Sequence, residues 1–361
     1  MKLVMLTGGI LAAALLIFGA ALVASNRALD DEAVSATASS DRADTTMAPG
    51  ATAKGQSYAG AAPENAKALA AAHVPFPAAL APAPAGDVVK VHMVLKDVTI
   101  EIAPGIKYQA WGFEGGVPGP VVHARQGQTV EMTLTNGGAI PHSIDFHAGR
   151  IAPNEAFIDV MPGKSFTFKF KANDPGVFMY HCGTKPVLAH IANGMYGAIV
   201  VDPATPLPKA AKEYVLVASE WYLNGDGLTE PAQLDMNKAR ALLPDWTTFN
   251  GYAGQYVAHP LTADPGDLVR FYVVDAGPSL TTAFHVVGTI FDTVYPNGDM
   301  NPEHVMNGVQ TVDVPAGGGA VFEVKIDQEG LYPFVSHSFA SVDMGQVGLL
   351  KVGNPPGTTS R

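Results

Sequence analysis

The sequence predicts an all-β protein built as two sandwich domains, and three observations predict it. Short apolar runs alternate with polar residues at the period of two that a half-buried strand requires. Pro-Gly and Asn-Gly pairs separate these runs, and 38 glycines with 28 prolines in 361 residues give ample turn chemistry. The third observation is an internal repeat. Ala124-Arg-Gln-Gly-Gln-Thr-Val resembles Ala263-Asp-Pro-Gly-Asp-Leu-Val, Asp174-Pro-Gly-Val-Phe resembles Gln328-Glu-Gly-Leu-Tyr, and Gly194-Met-Tyr-Gly-Ala-Ile-Val-Val resembles Gly345-Gln-Val-Gly-Leu-Leu-Lys-Val. In that pairing Met195 faces Gln346.

The N-terminus reads Lys2, an uncharged apolar run of about 22 residues from Leu3 to Ala24, then Asn26-Arg27 and the acids Asp30, Asp31 and Glu32. Residues 1–25 are therefore a signal sequence or a membrane anchor oriented N-in, with cleavage after Val23-Ala24-Ser25 as the first alternative. Either outcome exports the folded part, to the periplasm or the outer face of the cytoplasmic membrane. No cysteine lies there, which excludes a lipoprotein anchor.

Residues 26–86 are rich in Ala, Ser, Thr and Pro and read as a disordered, extended linker, with His73 solvated within it. Order is expected from Val88, where Val89, Val91, Met93 and Leu95 alternate with Lys90, His92, Val94 and Lys96. Further strands are expected at Gln128–Asn136, Ser165–Lys171, Gly176–His181 and Tyr196–Val201. Pro203–Lys212 reads as the connection, and a second strand-rich block follows from Glu213 to Val352 with one helix near Leu234–Leu243. This places domain 1 at 87–202, domain 2 at 203–354 and a tail at 355–361.

The net charge of −11 argues against a nucleic-acid partner and suits an acidic exported protein that meets a basic or neutral electron donor. Cys182 is the only cysteine, so there is no internal disulfide. It follows His181, and His190 and Met195 come after it at Cys-x7-His-x4-Met. One thiolate, imidazoles and a late methionine form the ligand set of a blue copper electron-transfer site. A buried free cysteine beside a surface histidine is the plainer alternative, but it leaves the spacing unexplained.

Upstream lies Pro141-His-Ser-Ile-Asp-Phe-His147. Strand side chains alternate faces, so His142 and Cys182 share one face, completed by His190 and Met195 from the following loop. Asp145, His147 and His181 share the other. Two imidazoles are one short of the three that an open catalytic metal site takes. The candidates for the third are His337 and His285, both in the second block, and a neighbouring subunit is the natural donor because His147 and His181 should point out of their own sandwich.

These motifs, Pro-His-x-x-Asp-Phe-His, Tyr-His-Cys and His-Ile-Ala-Asn-Gly-Met-Tyr-Gly, resemble those of the copper-containing nitrite reductases, two-domain cupredoxin homotrimers of bacterial denitrification. The resemblance runs from about Val88 to Val352. It implies two Greek-key cupredoxin-like domains and two coppers per subunit: type 1 on His142, Cys182, His190 and Met195, and type 2 on His147 and His181 of one subunit with His337 of the next. It makes Asp145 and His285 the catalytic pair and puts Val287 beside bound nitrite. It implies a small electron donor such as a cytochrome c or a cupredoxin. The stretch Ala148-Gly-Arg-Ile-Ala-Pro-Asn-Glu lacks the Gly-rich run of better-known members, many of which carry isoleucine where Val287 stands.

Two rivals are weaker. A trinuclear oxygen-reducing oxidase needs His-x-His pairs, and none of the 11 histidines forms one. An electron carrier with a decayed second site would not be expected to keep His147, His181, His337, Asp145 and His285 together. His92, His123, His259 and His304 read as surface or packing residues.

Overall fold

The computed structural model describes residues 63–356. The apolar N-terminal segment, the linker as far as residue 62 and the tail from 357 lie outside them. Among the described residues, no helix is long and apolar enough to cross a membrane.

In the first block, a four-stranded sheet runs in the order Ile106–Phe113, Val88–Ala103, Thr129–Asn136, Ser165–Lys171. A second four-stranded sheet runs Val122–Arg125, Tyr196–Asp202, Gly176–His181, Asp145–Phe146. The expected alternation is realised: Val89, Met93 and Leu95 are buried while Lys90, His92 and Lys96 are exposed. Their inward side chains meet Met132, Leu134, Phe168, Phe146, Tyr180 and Ile199 in one core, which makes the two sheets a sandwich.

The second block repeats this plan. A six-stranded sheet runs Trp246–Phe249, Lys212–Trp221, Leu268–Gly277, Gly319–Lys325, Phe291–Tyr295, Met306–Val309. A five-stranded sheet runs Leu261–Ala263, Val347–Val352, Gly330–Ser336, Thr282–Val286, Val312–Val314. The repeat extends to strand direction. Val88–Ala103 is parallel to Thr129–Asn136 as Lys212–Trp221 is parallel to Leu268–Gly277, and Val122–Arg125 is parallel to Tyr196–Asp202 as Leu261–Ala263 is to Val347–Val352. Phe271, Phe284, Phe322 and Phe334 fill this second core.

The two blocks share a third core. Val177, Met179, Ala198 and Val200 from the outer face of the first block pack on Val215, Val217, Tyr272, Val274 and Val321. Gly176–His181 and Tyr196–Asp202 are thus covered on both faces, a continuous apolar burial where the outer face of an isolated sandwich would be wet. Two glycines of the His-Ile-Ala-Asn-Gly-Met-Tyr-Gly motif permit close approaches around these strands. Gly194 has φ +104°, and a Cβ there would lie 2.5 Å from Val117. A Cβ on Gly197 would lie 2.3 Å from the Tyr180 ring.

The expectation of an extended, solvated chain up to residue 86 is corrected over 63–86. Ala66–Ala72 is a short helix, and His73 stacks on Tyr252 with ring centroids 3.7 Å apart. Phe76 N donates to Gln255 Oε1 at 2.7 Å and Phe76 O accepts from Tyr256 Oη at 2.9 Å. Ala79 makes a β-bridge to Tyr214, and Arg125 Nη2 donates to Pro84 O at 2.6 Å. The segment has little core of its own, and the folded blocks satisfy its backbone instead. The helix expected near Leu234–Leu243 runs Met236–Ala241, with the Asp235 carboxylate accepting from Asn237 N and Lys238 N.

Candidate functional site

Asp145–Phe146 pairs with the end of Gly176–His181, setting Asp145 opposite His181 and Phe146 opposite Tyr180. Phe146 and Tyr180 turn into the core, so Asp145 and His181 share the other face. One residue further on, Cys182 turns inward and is fully buried. Alternation on one strand therefore separates two donor sets joined by a single peptide unit.

The inner set is His142, Cys182 and His190, whose ligand atoms all lie within 4.8 Å of one another. His190 Nδ1 stands 3.0 Å from His142 Nδ1 and 3.2 Å from Cys182 Sγ. His142 Nδ1 is 3.9 Å from the sulfur, which also accepts the Ser143 N–H at 3.3 Å. His190 sits on a short helix, Val187–Ala192, where a loop was expected. Met195 is buried in the same core, and its carbonyl accepts the Cys182 N–H at 3.1 Å. Burial first, and then the charge of His190, pushes His142 down to about 4; burial lowers His190 as well. Both rings are thus neutral at physiological pH, the state a metal requires.

The outer set is Asp145, His147 and His181. His147 Nδ1 lies 3.0 Å from Gly317 O, and His181 Nδ1 lies 2.9 Å from Cys182 O. A carbonyl only accepts, so both Nδ1 atoms carry the hydrogen and both Nε2 atoms present lone pairs. Those two Nε2 atoms face each other at 3.0 Å. Two lone pairs at that distance repel unless a cation lies against them, and this donor set fits a metal. The Asp145 carboxylate stands 4.0 Å from His181 Nε2. Protein packed against the His147 ring lowers its pKa, and His181 adds to that shift.

His337 and His285 do not join this group. They form their own pair in the second block, with ring centroids 5.3 Å apart. His337 is exposed and its N–H donates to Ala283 O at 2.6 Å; Val287 is also exposed. His285 Nδ1 is held 2.6 Å from Gln310 O, which leaves its Nε2 free. The four remaining histidines of the ordered blocks have packing or surface partners: His92 with Thr135, His123 with Asp202, His259 with Ala70 O and His304 with Asp299.

Several residues at the site were not found by sequence reasoning. Trp111 sets its ring against both inner imidazoles, with centroids 5.3 Å from His142 and 4.9 Å from His190. Gly317 fixes the tautomer of His147 from the second block. An aromatic in a strand and a glycine in a Gly-rich turn carried no signal.

Two linked β-sandwiches with a buried His/Cys/His set define the class: a copper-binding protein of cupredoxin fold. A multicopper oxidase family model matches residues 95–206. The copper-containing nitrite reductase of Neisseria gonorrhoeae is 41% identical over 270 residues, spanning 73% of this chain and 68% of that protein. That of Alcaligenes faecalis is 29% identical over 288 residues, 73% of this chain and 76% of the relative. The solved copper nitrite reductase of Nitrosomonas europaea superposes with a TM-score of 0.69 at 38% identity, covering 74% of this chain and 94% of the other. The chain belongs to the copper-containing nitrite reductases, and it is an oxidoreductase acting on nitrite.

Proposed function

We propose that this chain reduces nitrite to nitric oxide and water with one electron and two protons, in a homotrimer holding two coppers per subunit. The inner set, His142, Cys182, His190 and Met195, is the type 1 ligand set; His147 and His181, with His337 of a neighbouring copy, are the type 2 set. Bound copper would supply electron entry at the first and, at the second, Lewis-acid polarisation of nitrite together with the electron it consumes. Asp145 and His285 hold and deliver the protons, and Val287 limits the pocket. A small cytochrome c or cupredoxin supplies the electron outside the cytoplasmic membrane, in denitrification. The working unit is domains 87–202 and 203–354, tethered or released by residues 1–25.

The observation that carries this reading is the facing pair of Nε2 lone pairs of His147 and His181, one peptide unit from the buried sulfur of Cys182. Two imidazoles with their other nitrogens committed to carbonyls have one chemical use in common, which is to bind a cation. The separation of His337 and His285 from that pair supports a site completed by a second copy.

Electron paramagnetic resonance of the copper-loaded protein tests it. Two distinct copper signals per subunit are expected, and Cys182→Ala should abolish the intense visible band while the second signal stays. A single signal would instead indicate an electron carrier, and a visible band that persists in Cys182→Ala would remove the thiolate from the ligand set.

A further inference from the structure

The ligands proposed for the first-block copper have almost no surface of their own. His142, Cys182 and Met195 are fully buried and His190 is 1% exposed. An electron arriving from outside therefore meets other protein before it meets a ligand. Trp111 stands at that place. Its ring lies against both imidazoles, inclined 69° to His142 and 57° to His190. Among the described residues, the only other ring that either imidazole touches is its fellow imidazole.

The strand explains the position. Ile106, Tyr108 and Ala110 turn into a core, so alternation puts Trp111 on the face of Lys107 and Gln109, opposite the exposed Asp97. The Trp111 N–H donates to Asn193 O at 2.9 Å, and the Asn193 side-chain oxygen accepts from Tyr108 Oη at 3.0 Å. The strand is thereby tied to the turn between His190 and Met195. The indole is left half-buried, part of it on the ligand rings and the rest open to solvent. Electron tunnelling weakens steeply with the gap to be crossed, and a π-system in contact with both ligand rings shortens that gap. A net charge of −11 draws basic proteins to this chain. A haem edge is apolar and conjugated, the complement of a half-exposed indole.

We propose that Trp111 is the residue through which electrons enter, bridging His142 and His190 to the exposed haem edge of a reduced, basic c-type cytochrome. One electron leaves the ferrous haem, which becomes ferric, and reduces copper(II) to copper(I). The indole carries the coupling and is neither oxidised nor reduced in the net step. Trp111 acts through the imidazoles and is not a ligand, so it is a positioning residue. The proposal rests on the assignment of His142, Cys182, His190 and Met195 as the type 1 set.

The test is stopped-flow reduction of the Cys182-dependent visible band of the copper-loaded protein, without nitrite, by two donors. One is mitochondrial ferrocytochrome c, a basic haem protein, and the other is dithionite, a small ion. Trp111→Leu should lower the second-order rate with ferrocytochrome c by about tenfold, the low end of the ~1–3 decades over which such rates vary among variants of one contact. The rate with dithionite should hold or rise, because a small ion can follow into the space left by the indole and a folded protein cannot. The midpoint potential and the position of the visible band should stay as in the parent. Trp111→Phe keeps a ring against the imidazoles and should restore most of the lost rate. A Trp111→Leu protein reduced by ferrocytochrome c at the parent rate overturns the proposal, as does a Trp111→Phe protein no faster than Trp111→Leu. Equal slowing with both donors, or slowing with a lowered midpoint potential, also overturns it, since Trp111 would then shape the copper site and not the entry. A parent band that dithionite bleaches and ferrocytochrome c does not has the same result. Absence of any Cys182-dependent visible band in the parent would instead overturn the type 1 assignment, so the two failures are told apart.

Discussion

Asp145 and His285 hold equivalent places in the two halves of the chain. Asp145 pairs across its ladder with His181, and His285 pairs with Val335 at the same step before the inward residues Cys182 and Ser336. The repeat thus presents one acid from the first block and one imidazole from the second, each on an outer face. His285 keeps its Nε2 free because its Nδ1 is spent on Gln310 O. Since the proposed reaction consumes two protons, turnover should fall as pH rises above neutrality. Asp145→Asn and His285→Asn should each lower turnover about 10²-fold, the usual weight of a positioned acid or base, with copper content unchanged. Steady-state rates and metal analysis on the two variants check this, and near-normal turnover in both would leave them structural.

At the scale of elements, the second block carries the outline of the inner site without its ligands. Ala283 N donates to Ser336 Oγ at 3.2 Å, as Ser143 N does to Cys182 Sγ at 3.3 Å. Gln346 donates to Thr282 Oγ1 where the first block has Met195 and His142. Asp275 accepts the Gly277 N–H as Asn136 accepts the Gly138 N–H. The amide-for-acid difference has a consequence. Burial raises the Asp275 carboxyl from 3.8 to about 8 and raises Glu220 as well. A carboxyl whose folded value exceeds its unfolded one stabilises the fold through its bound proton. That contribution is complete below the ordinary value, declines as pH climbs, and is gone above about 8. The melting temperature should therefore fall more steeply between pH 5 and 8 in the parent than in Asp275→Asn; parallel curves would refute it.

The strands were readable because one face of each sheet is dry and the other wet, and Val88–Ala103 and Thr129–Asn136 write that alternation directly into sequence. His142, Cys182 and His190 were readable for a different reason: they are close in sequence and chemically rare. The double-sided burial of Gly176–His181 and Tyr196–Asp202 was not readable, since the covering residues lie in the other block. The packing of residues 63–86 was missed on the same ground: His73 and Phe76 find their partners, Tyr252 and Gln255, nearly 180 positions away in the chain. Trp111 belongs to this group too, its contacts being made only after the sheets have closed.

At the scale of the whole molecule, one copy of the chain holds two imidazole pairs outside the inner set, His147 with His181 and His285 with His337. Bringing the second pair of one copy to the first pair of the next would be a heterologous contact, of the kind that closes into a ring where the rotation between copies allows it. The exposed side chains of Val287, Ile290 and Phe339 lie close in sequence to the second pair and would give such a contact an apolar border. The inner set needs no neighbour, since all its residues come from 142–195. His337→Ala should therefore yield a coloured, reducible protein without the second copper or nitrite turnover. The most direct measurement mixes inactive His337→Ala with inactive His147→Ala subunits after dissociation and reassembly, then assays nitrite turnover. Interfaces that pair an intact His147 with an intact His337 should regain copper and activity; mixed assemblies that form but stay inactive would contradict the shared site.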